Sequence, residues 1–129
     1  MRRCAHLVLL GAISAMPLAH SENQADRRWQ APPEAAARKN PLAERPDVVG
    51  GGQKTFLREC AQCHGDRGLG GRRKHAPDRT TPAVQAQTDG ALFWKITNGN
   101  ARRGMPSWSR LPEGVRWQLV LFLRTLAQK

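Results

Sequence analysis

The chain has 129 residues, which accommodates one compact domain with extensions and excludes a multidomain enzyme. It contains 21 lysines and arginines but only 10 aspartates and glutamates, so its formal net charge is +11. A charge of this sign favours encounter with an acidic protein, nucleic acid or anionic lipid, and it gives no information about the fold.

The first 20 residues have the composition of an export signal. Arg2 and Arg3 supply positive charge, residues 7–13 form a short apolar run, and Ala19 offers a small-residue cleavage site. The run is shorter than the roughly 20 apolar residues that span a bilayer, and Pro17 interrupts the segment. We therefore expect export to the periplasm with cleavage of the signal, rather than a retained membrane anchor.

Removal of this signal changes the remaining chain in two ways. Loss of Arg2 and Arg3 lowers the net charge from +11 to +9. Cys4 is also lost, which leaves Cys60 and Cys63 as the only cysteines and restricts any disulfide to that pair. Export also argues against nucleic acid as a partner, so the positive charge suits a protein with an acidic docking surface.

Residues 21–49 are predicted to form an irregular arm. Four prolines are scattered among alanines and charged residues, and Trp29 and Leu42 are the main large apolar side chains. This composition suits either a free arm or one that docks onto a partner. From residue 50 the pattern changes to that of a folded domain, which we expect to extend to residue 129.

Helices dominate the predicted domain. The first helix runs into Cys60, because Phe56 and Cys60 share a face at i, i+4 spacing. An open loop rich in glycine and proline covers residues 65–82. Thr88 is then predicted to cap a second helix, which stops before Gly99.

The last helix is predicted to start at Pro112, since proline is tolerated at the first helical position. Trp117 and Leu121 form a second apolar pair, so this helix should bury more than one face. Its main apolar stripe comprises Val115, Leu119, Phe122, Leu123 and Leu126. Alternating β-branched runs are missing from the sequence, and the predicted fold is therefore all-α with long loops.

Cys60-Ala61-Gln62-Cys63-His64 is a C-x-x-C-H motif, the attachment pattern of c-type haem. On one helical turn both sulfurs face the same side, from which they can reach the two vinyl groups of a porphyrin. His64 then presents its imidazole to the iron. The motif predicts one covalently attached haem c, with Cys60 and Cys63 forming thioethers and His64 serving as an axial iron ligand.

Two other interpretations of the motif have less support. A thioredoxin-like redox pair would require a βαβ setting, which this helical pattern does not provide. A structural zinc site requires four ligands, and His75 is the only other ligand-type residue nearby.

Met105 is the preferred candidate for the second axial iron ligand. Without the signal it is the only methionine, and it lies in a Gly104-Met105-Pro106 loop rather than on an apolar helix face. A thioether ligand stabilises reduced iron and raises the reduction potential. His75 is the alternative ligand, although it follows His64 by only 11 residues within the open loop.

With these motifs, the chain from about residue 50 to residue 129 resembles the small class I-like monohaem cytochromes c of bacteria. The resemblance implies a helical domain wrapped around the haem. It also implies that Gly52 and Phe56 on the first helix cross Leu119 and Phe122 on the last, with glycine allowing close approach of the backbones.

The resemblance further implies that a backbone carbonyl orients the imidazole of His64, and both Pro77 and Pro82 qualify for that role. Candidates for lining the haem pocket or pairing with haem propionates are Trp94, Trp117, Arg102 and Arg103. Core packing of the tryptophans and solvated charge for the arginines are the alternatives.

The function implied is single-electron transfer between a dehydrogenase or respiratory donor and an acceptor, with no catalytic residue. Two alternatives remain open: a fixed haem subunit of a periplasmic oxidoreductase complex, and a haem enzyme or sensor whose sixth ligand is displaceable. The enzyme would require a placed acid or base near the iron.

Overall fold

The structure is a computed structural model that describes residues 29–71 and 76–127. The predicted export signal, including Cys4, lies outside the described residues. So do residues 21–28 of the predicted arm, and so does His75, the alternative iron ligand.

The described residues form six α-helices and no β-strand, which confirms the all-α prediction. Two 3₁₀ turns, Pro46–Val48 and Ala101–Arg103, join this framework. The helices are α1 (Pro33–Ala36), α2 (Val49–Glu59), α3 (Ala61–His64), α4 (Pro82–Gln85), α5 (Asp89–Asn98) and α6 (Glu113–Thr125).

Helices α2 and α6 cross at Gly52. A Cβ atom at this position would overlap the backbone carbonyl of Gln118, so only glycine allows the two helices to come this close. Phe56, one turn further along α2, packs against Phe122 with ring centroids 5.2 Å apart and the rings tilted by 53°. The crossing expected from the resemblance is therefore present.

Helix α5 begins and ends as the sequence predicts. The Thr88 hydroxyl accepts a hydrogen bond from the backbone N–H of Ala91 at 3.1 Å, and Asp89 lies in the positive first turn. Gly99 follows the helix with a φ of 66°, a conformation that favours glycine.

Helix α6 begins at Glu113, one residue later than predicted. Pro112 has extended backbone, and its carbonyl accepts hydrogen bonds from Val115 and Arg116. Proline therefore serves as the residue before the first turn, where its missing N–H costs nothing. As expected, α6 buries more than one face, since Trp117 is 1% exposed and Val120 is fully buried.

The described part of the predicted arm, residues 29–49, packs against this framework, and its last residue, Val49, is already the first residue of α2. The Thr88 hydroxyl donates to the carbonyl of Ala36 at 2.6 Å, and the backbone of α1 lies so close to Gly90 that a Cβ there would overlap it. Asn40 is buried and donates from Nδ2 to the carbonyl of Trp117 at 3.2 Å. The arm thus contacts both α5 and α6.

Arg38 joins the arm to an aromatic stack in the core. Phe93 and Trp117 are stacked with ring centroids 3.9 Å apart, and the Arg38 guanidinium lies 4.8 Å and 5.2 Å from these two centroids. Arg38 also pairs with Glu113 at 2.6 Å. Within the described residues, no helix is long and apolar enough to span a bilayer.

Candidate haem-binding site

The C-x-x-C-H motif forms a tight turn between two helices. Cys60 follows α2 as its C-cap residue, and its carbonyl accepts hydrogen bonds from the backbone N–H groups of Cys63 and His64 at 3.1 Å and 3.0 Å. All three residues therefore lie on one turn, and each is half-buried. This arrangement places two thiols and one imidazole at the same wall of the molecule.

A backbone carbonyl fixes the orientation of the His64 ring. Nδ1 lies 3.2 Å from the carbonyl oxygen of Pro77, and because a carbonyl only accepts, Nδ1 carries the proton. Nε2 is then the nitrogen whose lone pair is available to a metal. Of the two prolines that the sequence offered, Pro77 has this role, while Pro82 opens the short helix α4.

The same carbonyl accepts a second hydrogen bond. Nε of Arg79 donates to the Pro77 oxygen at 3.1 Å. Burial lowers the pKa of His64, and the positive charge of Arg79 lowers it further, against the opposing effect of the Pro77 bond. Burial also lowers the pKa of Arg79 to about 10, with Asp78 opposing that shift. The imidazole of His64 is therefore kept in the neutral form that ligates metals.

The thiol of Cys60 is held in its neutral form. Burial raises its pKa to about 12, with smaller contributions from the negative charge of Glu59 and from Cys63. Neither Cys60 nor Cys63 forms a disulfide. A redox-active pair usually depends on a thiolate with a lowered pKa, so this environment disfavours the thioredoxin-like interpretation.

A cavity of about 370 Å³ opens beside the motif. Cys60, His64 and Met105 all line it, together with the apolar side chains Phe56, Val84, Leu92, Ile96, Leu119 and Leu123. A second cavity of about 360 Å³ shares Cys60, His64 and Met105 with the first and adds Cys63. The two cavities adjoin, and together they bring the four predicted haem-binding side chains to one place.

The loop that carries Met105 is pinned at its base. Asn100 and Met105 exchange two backbone hydrogen bonds of 2.8 Å and 3.0 Å, which close an antiparallel bridge. Gly99 packs so tightly against Pro106 that a Cβ would overlap its carbonyl. Gly104 turns the loop with a φ of 77°. Met105 is therefore held at the cavity wall by its backbone.

The tryptophans at the cavity wall differ from the two that the sequence offered as candidates. Trp94 and Trp117 are outside both cavity walls, and Trp117 instead stacks in the core and donates from Nε1 to Glu113. The tryptophans at the wall are Trp29 and Trp108. Trp108 follows Met105 by three residues, and that proximity was the signal that the sequence offered. In the structure its side chain is buried, with 6% exposed.

Charged groups also reach the cavity. Arg103 lines both cavities, whereas Arg102 lines neither. Arg79 and Lys95 line the larger one, and neither was singled out in the sequence. Among residues 29–71 and 76–127, no group of three or more histidines, cysteines, aspartates and glutamates could hold a metal ion.

The residues present fit a haem. The cavity volume lies in the range of ligand pockets, and its wall combines an apolar lining with a neutral imidazole whose free nitrogen is Nε2. Two thiols flank that imidazole, a thioether lies in the same wall, and cationic side chains suit the carboxylates of a haem.

Comparison with protein families agrees with this geometry. A family model described as "Cytochrome C oxidase, cbb3-type, subunit III" matches residues 48–123. No curated protein matches the chain. Because the match covers more than half of the 129 residues, the chain belongs to this family and is a small c-type cytochrome, a haem protein of electron transfer.

Proposed function

We propose that this chain is a periplasmic monohaem cytochrome c that carries single electrons between a dehydrogenase or respiratory donor and an acceptor. Cys60 and Cys63 form the thioether bonds, and His64 and Met105 are the axial ligands of the iron. The observation that carries the proposal is the shared wall, since Cys60, His64 and Met105 line one apolar cavity.

In this proposal the protein holds the iron rigidly so that its ligands change little between oxidation states. The bound haem supplies a one-electron iron couple. Pro77 fixes the tautomer and ring plane of His64 through Nδ1. The Asn100–Met105 bridge fixes the backbone from which the thioether extends, and apolar side chains line the cavity. No residue has to move a proton for this function.

The proposed location and partners follow from the sequence. The signal-like first 20 residues support export, and a net charge of +9 after their removal supports docking to an acidic redox partner. Two exposed arginines near the Met105 loop, Arg102 and Arg103, offer positive charge on that side of the molecule, whereas Arg110 is paired with Glu59 at 2.9 Å.

The test is a visible spectrum of the protein, expressed with a c-type maturation system, in the oxidised and reduced states. Imidazole is then added to the oxidised parent and to Met105→Ala. We expect low-spin bands that resist imidazole in the parent and yield to it in Met105→Ala, because removal of the thioether opens one iron position. Leu111→Ala, which truncates a half-buried side chain outside the cavity walls, should behave as the parent does.

A parent that binds imidazole at low concentration would overturn the assignment of Met105 and favour the enzyme or sensor alternative. A spectrum unaffected by Met105→Ala would favour a second histidine instead. Signal cleavage and periplasmic location are read separately, from the mass of the haem-loaded protein in a periplasmic extract.

A second candidate function is a fixed haem subunit of an oxidase complex, because the matching family is described as a subunit of a cbb3-type oxidase. This alternative predicts that the haem-loaded chain co-purifies with a membrane complex at physiological salt. A free carrier is instead recovered alone in the soluble fraction.

A further inference from the structure

The larger cavity has a wall that does not belong to the matched domain. The family match begins at residue 48, whereas Trp29 and Gln30 of the arm line the cavity together with Met105. This segment precedes the family domain and still takes part in its site. The contact is therefore a feature of this chain rather than of the matched domain.

Trp29 makes a directed contact at this wall. Its Nε1 donates a hydrogen bond of 2.7 Å to the carbonyl of Gly99 across 70 residues of sequence. The ammonium of Lys95 lies 4.7 Å from the centre of its ring, within the range of a cation–π interaction. The indole is thus fixed at both its polar edge and its face.

Gly99 is the base of the loop that carries Met105. The next residue, Asn100, forms the two backbone hydrogen bonds with Met105, and Gly99 itself packs against Pro106 on the far side of the loop. Gly99 thus contacts both ends of the loop. A hydrogen bond to its carbonyl therefore restrains the base of the loop.

The position of Trp29 is in turn fixed by the rest of the arm. Asn40 is anchored to the carbonyl of Trp117, and Arg38 is held by Glu113 and by the stacked aromatic pair. These contacts lie on α5 and α6, away from the Met105 loop. The arm therefore connects the Met105 loop to the core, and its contacts with α5 and α6 restrain the position of Trp29.

We propose that Trp29 is a positioning residue for Met105, acting through its hydrogen bond to Gly99, and that the arm is a wall of the haem cavity. The inference rests on the proposed ligation of iron by Met105. With the bond removed, the base of the loop gains freedom, and a competing ligand displaces the thioether more readily.

The test compares the parent with Trp29→Phe as full-length, haem-loaded proteins. Phenylalanine keeps an aromatic face for Lys95 and removes only the indole N–H and part of the ring. We expect the association constant of imidazole for the oxidised protein to rise about fivefold, the effect of one ordinary hydrogen bond. The reduction potential should fall as well, since a weaker thioether bond favours reduced iron less.

Trp94→Phe is the matched control. Trp94 neighbours Lys95 on α5, is half-buried and lies outside the cavity walls. Its loss should leave imidazole binding and the reduction potential at the parent values. A general effect of tryptophan removal on stability would appear in both variants.

Proton exchange of the indole gives a second, independent measurement. In the parent, the Trp29 N–H bonded to Gly99 should exchange with heavy water more slowly than that of Trp94. The signal is assigned to Trp29 by its loss in Trp29→Phe, while that of the buried Trp117 remains. This result does not depend on which side chain ligates the iron.

Two results would overturn the inference. One is an imidazole affinity in Trp29→Phe equal to that of the parent, and the other is rapid exchange of the Trp29 indole. If instead Met105→Ala has the same spectrum as the parent, the proposed ligation of iron by Met105 is wrong, whatever the result for Trp29→Phe.

Discussion

The carbonyl oxygen of Pro77 accepts hydrogen bonds from two side chains, Nδ1 of His64 at 3.2 Å and Nε of Arg79 at 3.1 Å. A carbonyl that accepts two hydrogen bonds forms a weaker bond with the imidazole N–H than a carbonyl that accepts only that one. The imidazole is therefore less basic. Partner groups of a ligating histidine tune its basicity and so the potential of the metal. With His64 as the proposed iron ligand, Arg79 is placed to raise the potential both by competing for the carbonyl and by its charge.

Replacing Arg79 should lower the reduction potential. In Arg79→Gln, Pro77 is left to His64 alone and a cation is removed from the cavity wall, and both changes stabilise oxidised iron. We expect a fall of about 40 mV, the equivalent of about 1 kcal/mol for one electron. Potentiometric titration of the haem-loaded protein measures it.

Two further variants separate the causes. Arg79→Lys keeps the charge and should recover part of the potential, while Arg45→Gln removes an exposed arginine of the arm and should leave the potential unchanged. If Arg79→Gln and Arg45→Gln have the same potential, Arg79 does not tune the site.

For single residues, the sequence predicted the type of site but not which backbone carbonyl orients the His64 ring. The spacing of Cys60, Cys63 and His64 indicated a haem, because i, i+3 and i+4 positions share a helical face. The choice between Pro77 and Pro82 could not be made from spacing. It depends on how the loop folds back, with Gly70 donating to the carbonyl of His64 at 2.8 Å.

Among the elements, the crossing of α2 and α6 sets how closely the two longest helices approach. Glycine at position 52 brings the backbone of α2 against the carbonyl of Gln118, and the Phe56–Phe122 pair fills the space beside it. Because both α2 and α6 supply cavity residues, including Phe56 and Leu119, a change in their separation also changes the site.

Gly52→Ala should therefore destabilise the protein by about 3 kcal/mol, the upper part of the range for overpacking a core. Urea unfolding followed by circular dichroism measures the loss. Gly50→Ala is the matched control on the same helix, since a Cβ there meets nothing within 4 Å. That control should gain about 0.5 kcal/mol from better helix propensity. Equal stability of the two variants would contradict the close crossing.

Thr88 joins two elements through one hydroxyl. It accepts from Ala91 as the cap of α5 and donates to the carbonyl of Ala36 in α1. Thr88→Ala loses both bonds and should cost about 2 kcal/mol in thermal or urea unfolding. Thr88→Ser keeps the hydroxyl and should stay near the parent, so an equal loss in both variants would exclude the hydrogen bonds as the cause.

Sequence patterns predicted α2, α5 and α6 because each has a periodic apolar face or a capping residue. The contacts of the arm were not predictable in this way. They rest on single residues, Trp29, Arg38 and Asn40, whose hydrogen-bond partners lie 70 or more residues away and leave no periodic trace. The polar and proline-rich composition of the segment suggested a free or partner-bound arm.

In the whole molecule, positive charge exceeds negative charge, with 21 lysines and arginines against 10 aspartates and glutamates. Among the described residues, hydrogen bonds from neighbouring side chains lower the pKa values of four carboxylates, Asp47, Glu59, Asp78 and Glu113. For Glu113 the bond from Arg38 is the largest cause, followed by that from Trp117. Glu59 lies next to the motif turn, Asp78 lies in the Pro77 loop, and Glu113 binds Arg38 of the arm.

Lowered pKa values make the fold acid-sensitive in a defined direction. Stability from these bonds is fully present above the ordinary carboxyl pKa of about 4. It is lost as the pH falls through the lowered values of the folded state, while the net positive charge grows. We expect the urea midpoint to be flat near neutral pH and to drop below about pH 4.

Glu113→Gln should show a smaller drop, because one of the titrating groups is already neutral. Glu44→Gln, which neutralises an exposed glutamate of the arm, should follow the parent curve. A midpoint that rises towards low pH would contradict the sign of these shifts.

The arm also has a consequence for the order of folding. Its hydrogen bonds join residues 70 and 77 positions apart, so they close long loops, whereas the motif turn forms from neighbouring residues. During synthesis residues 29–40 emerge before any of their partners on α5 and α6. We expect the segment that is synthesised first to pack last. The cavity would then be open on the Trp29 side during the proposed attachment of haem to Cys60 and Cys63.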